Sequence, residues 1–109
     1  MEFNKFHFHL YYELDDIAKV ENLIIKLKEI DHVQIGRIHK KPVGPHPIGS
    51  CQITVFKENY YEMTEWFLNN RDGIDLFIHP VSGEDLIDHT DFAMWIGKSY
   101  ELNLDIFKS

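Results

Sequence analysis

The sequence holds a single cysteine, Cys51, in 109 residues. No internal disulfide can therefore form, and the expected setting is a reducing cytoplasm. No apolar run approaches the roughly 20 residues that cross a bilayer. The opening Met-Glu-Phe-Asn-Lys has neither the basic nor the apolar region of a signal peptide, so no membrane partner is expected. Cations are scarce: 11 Lys and Arg stand against 18 Asp and Glu, a formal charge of −7 that argues against nucleic acid or an anionic membrane surface. A glycine-rich strand-to-helix loop and a Cys-x-x-Cys-His run are both missing, which leaves no sign of a nucleotide, flavin or haem. Repeats, low-complexity stretches and linkers are missing too. Residues 1–109 are expected to form one domain with its own core. What is plentiful is histidine, seven of them between His7 and His89.

Hydrophobic period sets the elements. Phe6 to Tyr12, "FHFHLYY", alternates as a strand, with Phe6, Phe8 and Leu10 on one face and His7, His9 and Tyr11 on the other. Ile17, Val20, Ile24, Leu27 and Ile30 fall at helical spacing behind a cap at Asp15 or Asp16. Val33 to His39 reads as a second strand, "KKPVGPHPIGS" as a stiff loop, and Cys51 to Phe56 as a third strand. Phe56, Tyr60, Met63 and Phe67 mark a second helix, which "NNRDG" ends. Ile74 to His79 is the fourth strand, and Leu102 to Phe107 a last alternating one. The order predicts an α+β fold, a ferredoxin-like βαββαβ sandwich with an extra C-terminal strand. Its helices cover one sheet face and leave the other open.

Strands one and three are expected to run the same way at the centre of this sheet, with two and four opposed at the flanks. His7, His9, His39, His46 and His79 would then meet at one end. By alternation His7, His9 and His79 share the open face, while His39 sits on a strand face of mixed character. Residues i and i+2 on a strand lie about 6.6 Å apart, close enough for two imidazoles to lean onto one metal. His46 and His79 each precede a proline, which stiffens the backbone that carries them. Glu84 follows His79 closely enough to reach the same ion. Cys51 points to the helices as a small core residue, and His32 lies at the far end as a surface residue.

The stretches "FHFHLYY", "KPVGPHPIGSCQITV" and "NNRDGIDLFIHPVSGEDLIDHTDFAMWIGKSYELNLDIF" resemble the small DOPA 4,5-dioxygenase family, the fungal pigment type with bacterial relatives. The most specific part is His79-Pro80-Val81-Ser82-Gly83, then Asp88-His89, then Ala93-Met94-Trp95-Ile96-Gly97; Ser82 stands where threonine is expected. The resemblance implies extradiol cleavage of a catechol ring by O₂ at a non-haem Fe(II), with DOPA or a related small aromatic as substrate. Imidazole suits Fe(II), and zinc or nickel would suit the same ligands in purified protein. On this reading His7, His9 and His79 are metal ligands with Glu84 as the carboxylate, and His46 and His89 are the acid–base groups. Tyr11, His39 and Trp95 are candidate substrate contacts, although packing is the favoured reading for Trp95.

Two other readings use the same residues. The cluster could hold metal without turnover, or the open face could be buried in a metal-free interaction module. A homodimer is expected in either the catalytic or the interaction case, through the open face or the strand at Leu102 to Phe107.

Overall fold

The computed structural model describes residues 1–108. Five strands form one antiparallel sheet: β1 (Lys5–Tyr12), β2 (Val33–Ile35), β3 (Gly49–Phe56), β4 (Asp75–Pro80) and β5 (Met94–Ile96), in the spatial order β2-β3-β1-β4-β5. Helices α1 (Ile17–Leu27) and α2 (Tyr60–Asn70) lie on one face, and a single turn, α3 (Asp85–Asp88), precedes β5. This is the expected α+β sandwich with a fifth strand.

The core follows from the two periods. Phe8, Leu10, Ile53, Val55, Leu76 and Ile78 point from the sheet to Val20, Leu23, Ile24 and Leu27 of α1 and Met63 and Phe67 of α2. Phe8 stacks on Phe67 with ring centroids 5.3 Å apart. Truncating either ring to alanine would cost about 3–5 kcal/mol. Cys51 is buried in this core, opposite Leu10.

Three expectations are corrected. The first concerns strand direction. β1 and β3 run antiparallel, Lys5 against Phe56 and Tyr12 against Gly49. The α1 crossover returns β2 parallel to β1, and residues 36–48 reverse the chain into β3. His46 therefore starts from the far end of β1 and reaches the other histidines by folding back over the sheet. Gly49 permits the close approach there, since a Cβ would stand 2.9 Å from the His39 carbonyl oxygen and from the Tyr12 ring.

The second concerns His39. β2 ends at Ile35, paired with Ile53, but His39 bridges Ser50, a register displaced by one residue. A one-residue slip moves a side chain to the other face. His39 consequently joins the open side, although simple alternation from Ile35 would send it to the core.

The third concerns the extra strand. Met94–Ile96, not Leu102 to Phe107, pairs with β4. The edge of β4 is therefore filled, and residues 102–107 pair with no strand. Asn103 N–H donates to the Pro45 carbonyl at 2.9 Å, its side-chain oxygen accepts from Asp105 N–H at 3.3 Å, and Asp105–Phe107 closes as a 3₁₀ turn.

Candidate metal centre

The second face of β1 is where the histidines collect. His7 lies opposite Thr54 and His79, His9 opposite Gln52 and Phe77, Tyr11 opposite Ser50 and Asp75. Cross-strand partners share a face, so two adjacent strands supply three imidazoles. One ring nitrogen from each of His7, His9 and His79 lies within 4.8 Å of the other two. Nε2 of His9 and Nε2 of His79 are 2.9 Å apart. Two neighbouring ligands at right angles, each about 2.1 Å from one ion, would be separated by about 3 Å.

The tautomer of His79 is set by its neighbour. Its Nδ1 is 2.7 Å from the Pro80 carbonyl oxygen, which can only accept, so Nδ1 carries the proton and Nε2 keeps its lone pair. Burial pushes His79 and His7 down to about 4, helped in both by the neighbouring His89 ring and, for His7, first by Lys5. His9 is held well below the ordinary histidine value, again chiefly by burial, then by His46 and His79. Neutral imidazoles are what a metal requires. The donor set fits a borderline divalent ion such as Fe(II), with three protein ligands leaving other positions open.

Two further histidines close the site from above. The turn Val43-Gly44-Pro45-His46 is tied by His46 N–H to the Val43 carbonyl at 3.0 Å, with Gly44 at φ +55, a value few other residues adopt. It brings the His46 ring to 4.3 Å from His9. The Tyr11 hydroxyl lies 2.6 Å from Nδ1 of His46. Burial raises the Tyr11 pKa, so the phenol stays protonated and is able to donate to Nδ1; in that arrangement Nε2 of His46 carries the ring proton. His89, just after α3, sets its ring tilted 39° to that of His79 with centroids 4.2 Å apart, and its Nδ1 donates to the Asp85 carbonyl at 2.7 Å. In the neutral ring this contact leaves Nε2 bare. With Tyr11 as donor and both rings neutral, the two imidazoles above the cluster take opposite tautomers.

Glu84 does not join this group. It precedes α3 with an exposed side chain. The carboxyl that lies beside the cluster is Asp88, only 2 % exposed, which accepts from the Ser82 amide at 2.9 Å and the Ser82 hydroxyl at 2.5 Å. Asp88 had been visible only as half of an Asp-His pair. Trp95 stacks on Phe77 at 4.7 Å and meets Tyr11 edge-on at 5.7 Å, a packing position under the site. His39 lines a separate cleft beside His46. His32 is apart from all of these, paired with Glu62 at 2.8 Å.

The resulting cleft, about 230 Å³, is lined by His7, His9, His46, His79, His89 and Gln52 among others. Phe107 of the C-terminal turn covers it, 4.6 Å from the His89 ring. The chain thereby covers its own sheet face, and His9 and His79 are buried without a second subunit.

Residues 6–106 match the model of the Dopa 4,5-dioxygenase family. The chain belongs to this family. It is 30 % identical, over 112 aligned positions covering 94 % of the chain, to the DOPA 4,5-dioxygenase of Amanita muscaria. An uncharacterized 21.2 kDa protein of Botryotinia fuckeliana is 30 % identical over 89 positions, or 74 % of the chain. The chain spans about half the length of these two relatives, 49 % of each. The crystal structure of a candidate dioxygenase from Nostoc punctiforme superposes with a TM-score of 0.93 at 29 % identity, covering 97 % of this chain and 92 % of that one. No helix in the described residues is long and apolar enough to cross a membrane.

Proposed function

We propose that this dioxygenase-family chain opens a catechol ring with O₂, in the extradiol manner, using a non-haem Fe(II) held by His7, His9 and His79. The observation that carries the reading is the convergence of three neutral imidazole nitrogens within 4.8 Å at the floor of a cleft. Ferrous iron there would supply adjacent open positions for the two catechol oxygens and for O₂.

The chain's own residues handle protons. The bare Nε2 of His89 is the acceptor for a catechol hydroxyl proton, and the Nε2–H of His46 is the donor that hands one back as the ring opens. Opposite tautomers, supported by the contacts with Asp85 and Tyr11, would separate the two roles. Phe77 and Phe107 exclude water around the ring. In the balanced reaction one ring carbon–carbon bond beside the diol breaks. Both atoms of O₂ enter the semialdehyde product, and no outside reductant is consumed.

The test is oxygen uptake by protein loaded anaerobically with Fe(II) and then given L-DOPA or other catechols, with absorbance read for a yellow ring-opened product. One O₂ consumed per product is expected. No uptake across the panel, with metal bound at one per chain, would overturn the reading in favour of metal holding without turnover.

A further inference from the structure

Beside the metal cleft lies a second one of about 330 Å³, lined by Gly36, Arg37, His39, Val43, Gly44, Pro45, His46, Ser50, Gln52 and His9. It shares His9, Pro45, His46 and Gln52 with the first, so the two are separated only by the His46 turn. We propose that this second cleft receives a carboxylate on the side chain of the catechol, anchored by Arg37, so that the substrate is an acidic catechol. The proposal rests on the ring-cleavage reading for the position of the diol.

Charge carries the argument. The chain as a whole bears −7, yet the lining of this cleft includes the Arg37 cation and no Asp or Glu. Lys40 and Lys41 continue the same segment, both exposed. Arg37 has no carboxylate partner within 4.0 Å among the described residues. A guanidinium offers paired N–H donors that match a carboxylate, a contact roughly twice as strong as a neutral hydrogen bond. The register slip after Ile35 matters here, because it turns His39 onto the open side next to Ser50. A positive cleft contiguous with the metal cleft selects against a cationic side chain as strongly as it selects for an anionic one.

Three probes share one ring and differ in charge: 3,4-dihydroxyphenylpropionate, 4-methylcatechol and dopamine. Binding is measured by calorimetry on zinc-loaded protein, which leaves the ring intact, and turnover on the Fe(II) form. The carboxylate should bind about tenfold tighter than 4-methylcatechol, the size of effect one charge-assisted pair gives, with dopamine weakest. Arg37→Gln should erase that preference while leaving 4-methylcatechol binding and metal content unchanged, and Arg37→Lys should restore part of it. An unchanged ranking in Arg37→Gln, or no preference in the parent protein, overturns the proposal. If the preference depends on Arg37 but no probe is cleaved, the anion site stands and ring cleavage falls. If all three are cleaved without regard to charge or Arg37, ring cleavage stands and the anion site falls.

Discussion

The Tyr11 hydroxyl meets Nδ1 of His46 at 2.6 Å, joining the strand that carries two clustered imidazoles to the turn that closes over them. Tyr11 is fully packed, edge-on to Trp95 and Tyr100, so Tyr11→Phe keeps the ring in place and removes only the donor. Nδ1 and Nε2 of His46 then compete for the proton. Turnover should fall about 10- to 100-fold, the usual effect of losing a group that orients a functional imidazole. Metal content and KM should stay close to the parent values. Steady-state kinetics with metal analysis decides it; an unaltered kcat means Tyr11 only packs.

The five site histidines should sort into two groups. Alanine at His7, His9 or His79 removes one of three ligands, and metal per chain should drop from about one toward zero under competition with a weak chelator. Glutamine at His46 or His89 leaves the three-nitrogen cluster intact. Those variants should retain metal and lose about 10²- to 10⁴-fold in rate, the range for an acid–base group. Loss of metal from His89→Gln would make His89 a ligand and break the assignment. Glu84→Gln should change neither quantity, because its side chain is exposed and outside the cluster.

Much of this site was legible from period two alone. Once Phe8 and Leu10 belong to the core, His7, His9 and Tyr11 must face the other way, and the same reasoning places His79 beside them. Strand direction was harder, because alternation reports a face and carries no information about which way a neighbouring strand runs. The face of His39 was left open by the pattern, and its placement comes from a one-residue slip after β2 stops at Ile35 instead of running on to His39. Leu102 to Phe107 alternates well enough to be a strand, but the edge of β4 goes to Met94–Ile96. Edge pairing is decided by what else competes for the same hydrogen bonds. Asp88 was hidden for a different reason: a buried carboxyl is recognisable only from its partners, and Ser82 is six residues away.

The lowered histidines make the metal-free protein acid-sensitive in a defined window. His7, His46 and His79 are pushed down to about 4 by burial in the fold, while in the unfolded chain they return to about 6.5. Between those values the unfolded state binds more protons, so stability rises with pH there. It is complete above about pH 6.5 and is lost as pH falls toward 4. A Tm series on metal-free protein should be flat from pH 7 upward on this account and decline below 6.5. His79→Gln removes one of the titrating groups and should decline less steeply. A parent Tm that holds constant down to pH 4.5 would contradict the burial of these groups as neutral imidazoles.

Asp88 links the stability of the site to its chemistry. Its carboxyl takes both the amide and the hydroxyl of Ser82, and the next residue is His89. Asp88→Ala strands the half-buried Ser82 donors and should destabilise the protein by about 1–3 kcal/mol in urea unfolding. Ser82→Ala removes the hydroxyl donor but leaves the amide bond, and should cost about 1 kcal/mol. Because the two side chains act through one shared contact, the double variant should be little worse than Asp88→Ala alone. Strict additivity would show that Asp88 stabilises the fold by some route other than Ser82. The kinetic signature separates a structural loss from a positional one. If Asp88 holds the α3 turn that orients His89, Asp88→Ala should retain its metal at a temperature where it is fully folded and still turn over more slowly than Ser82→Ala.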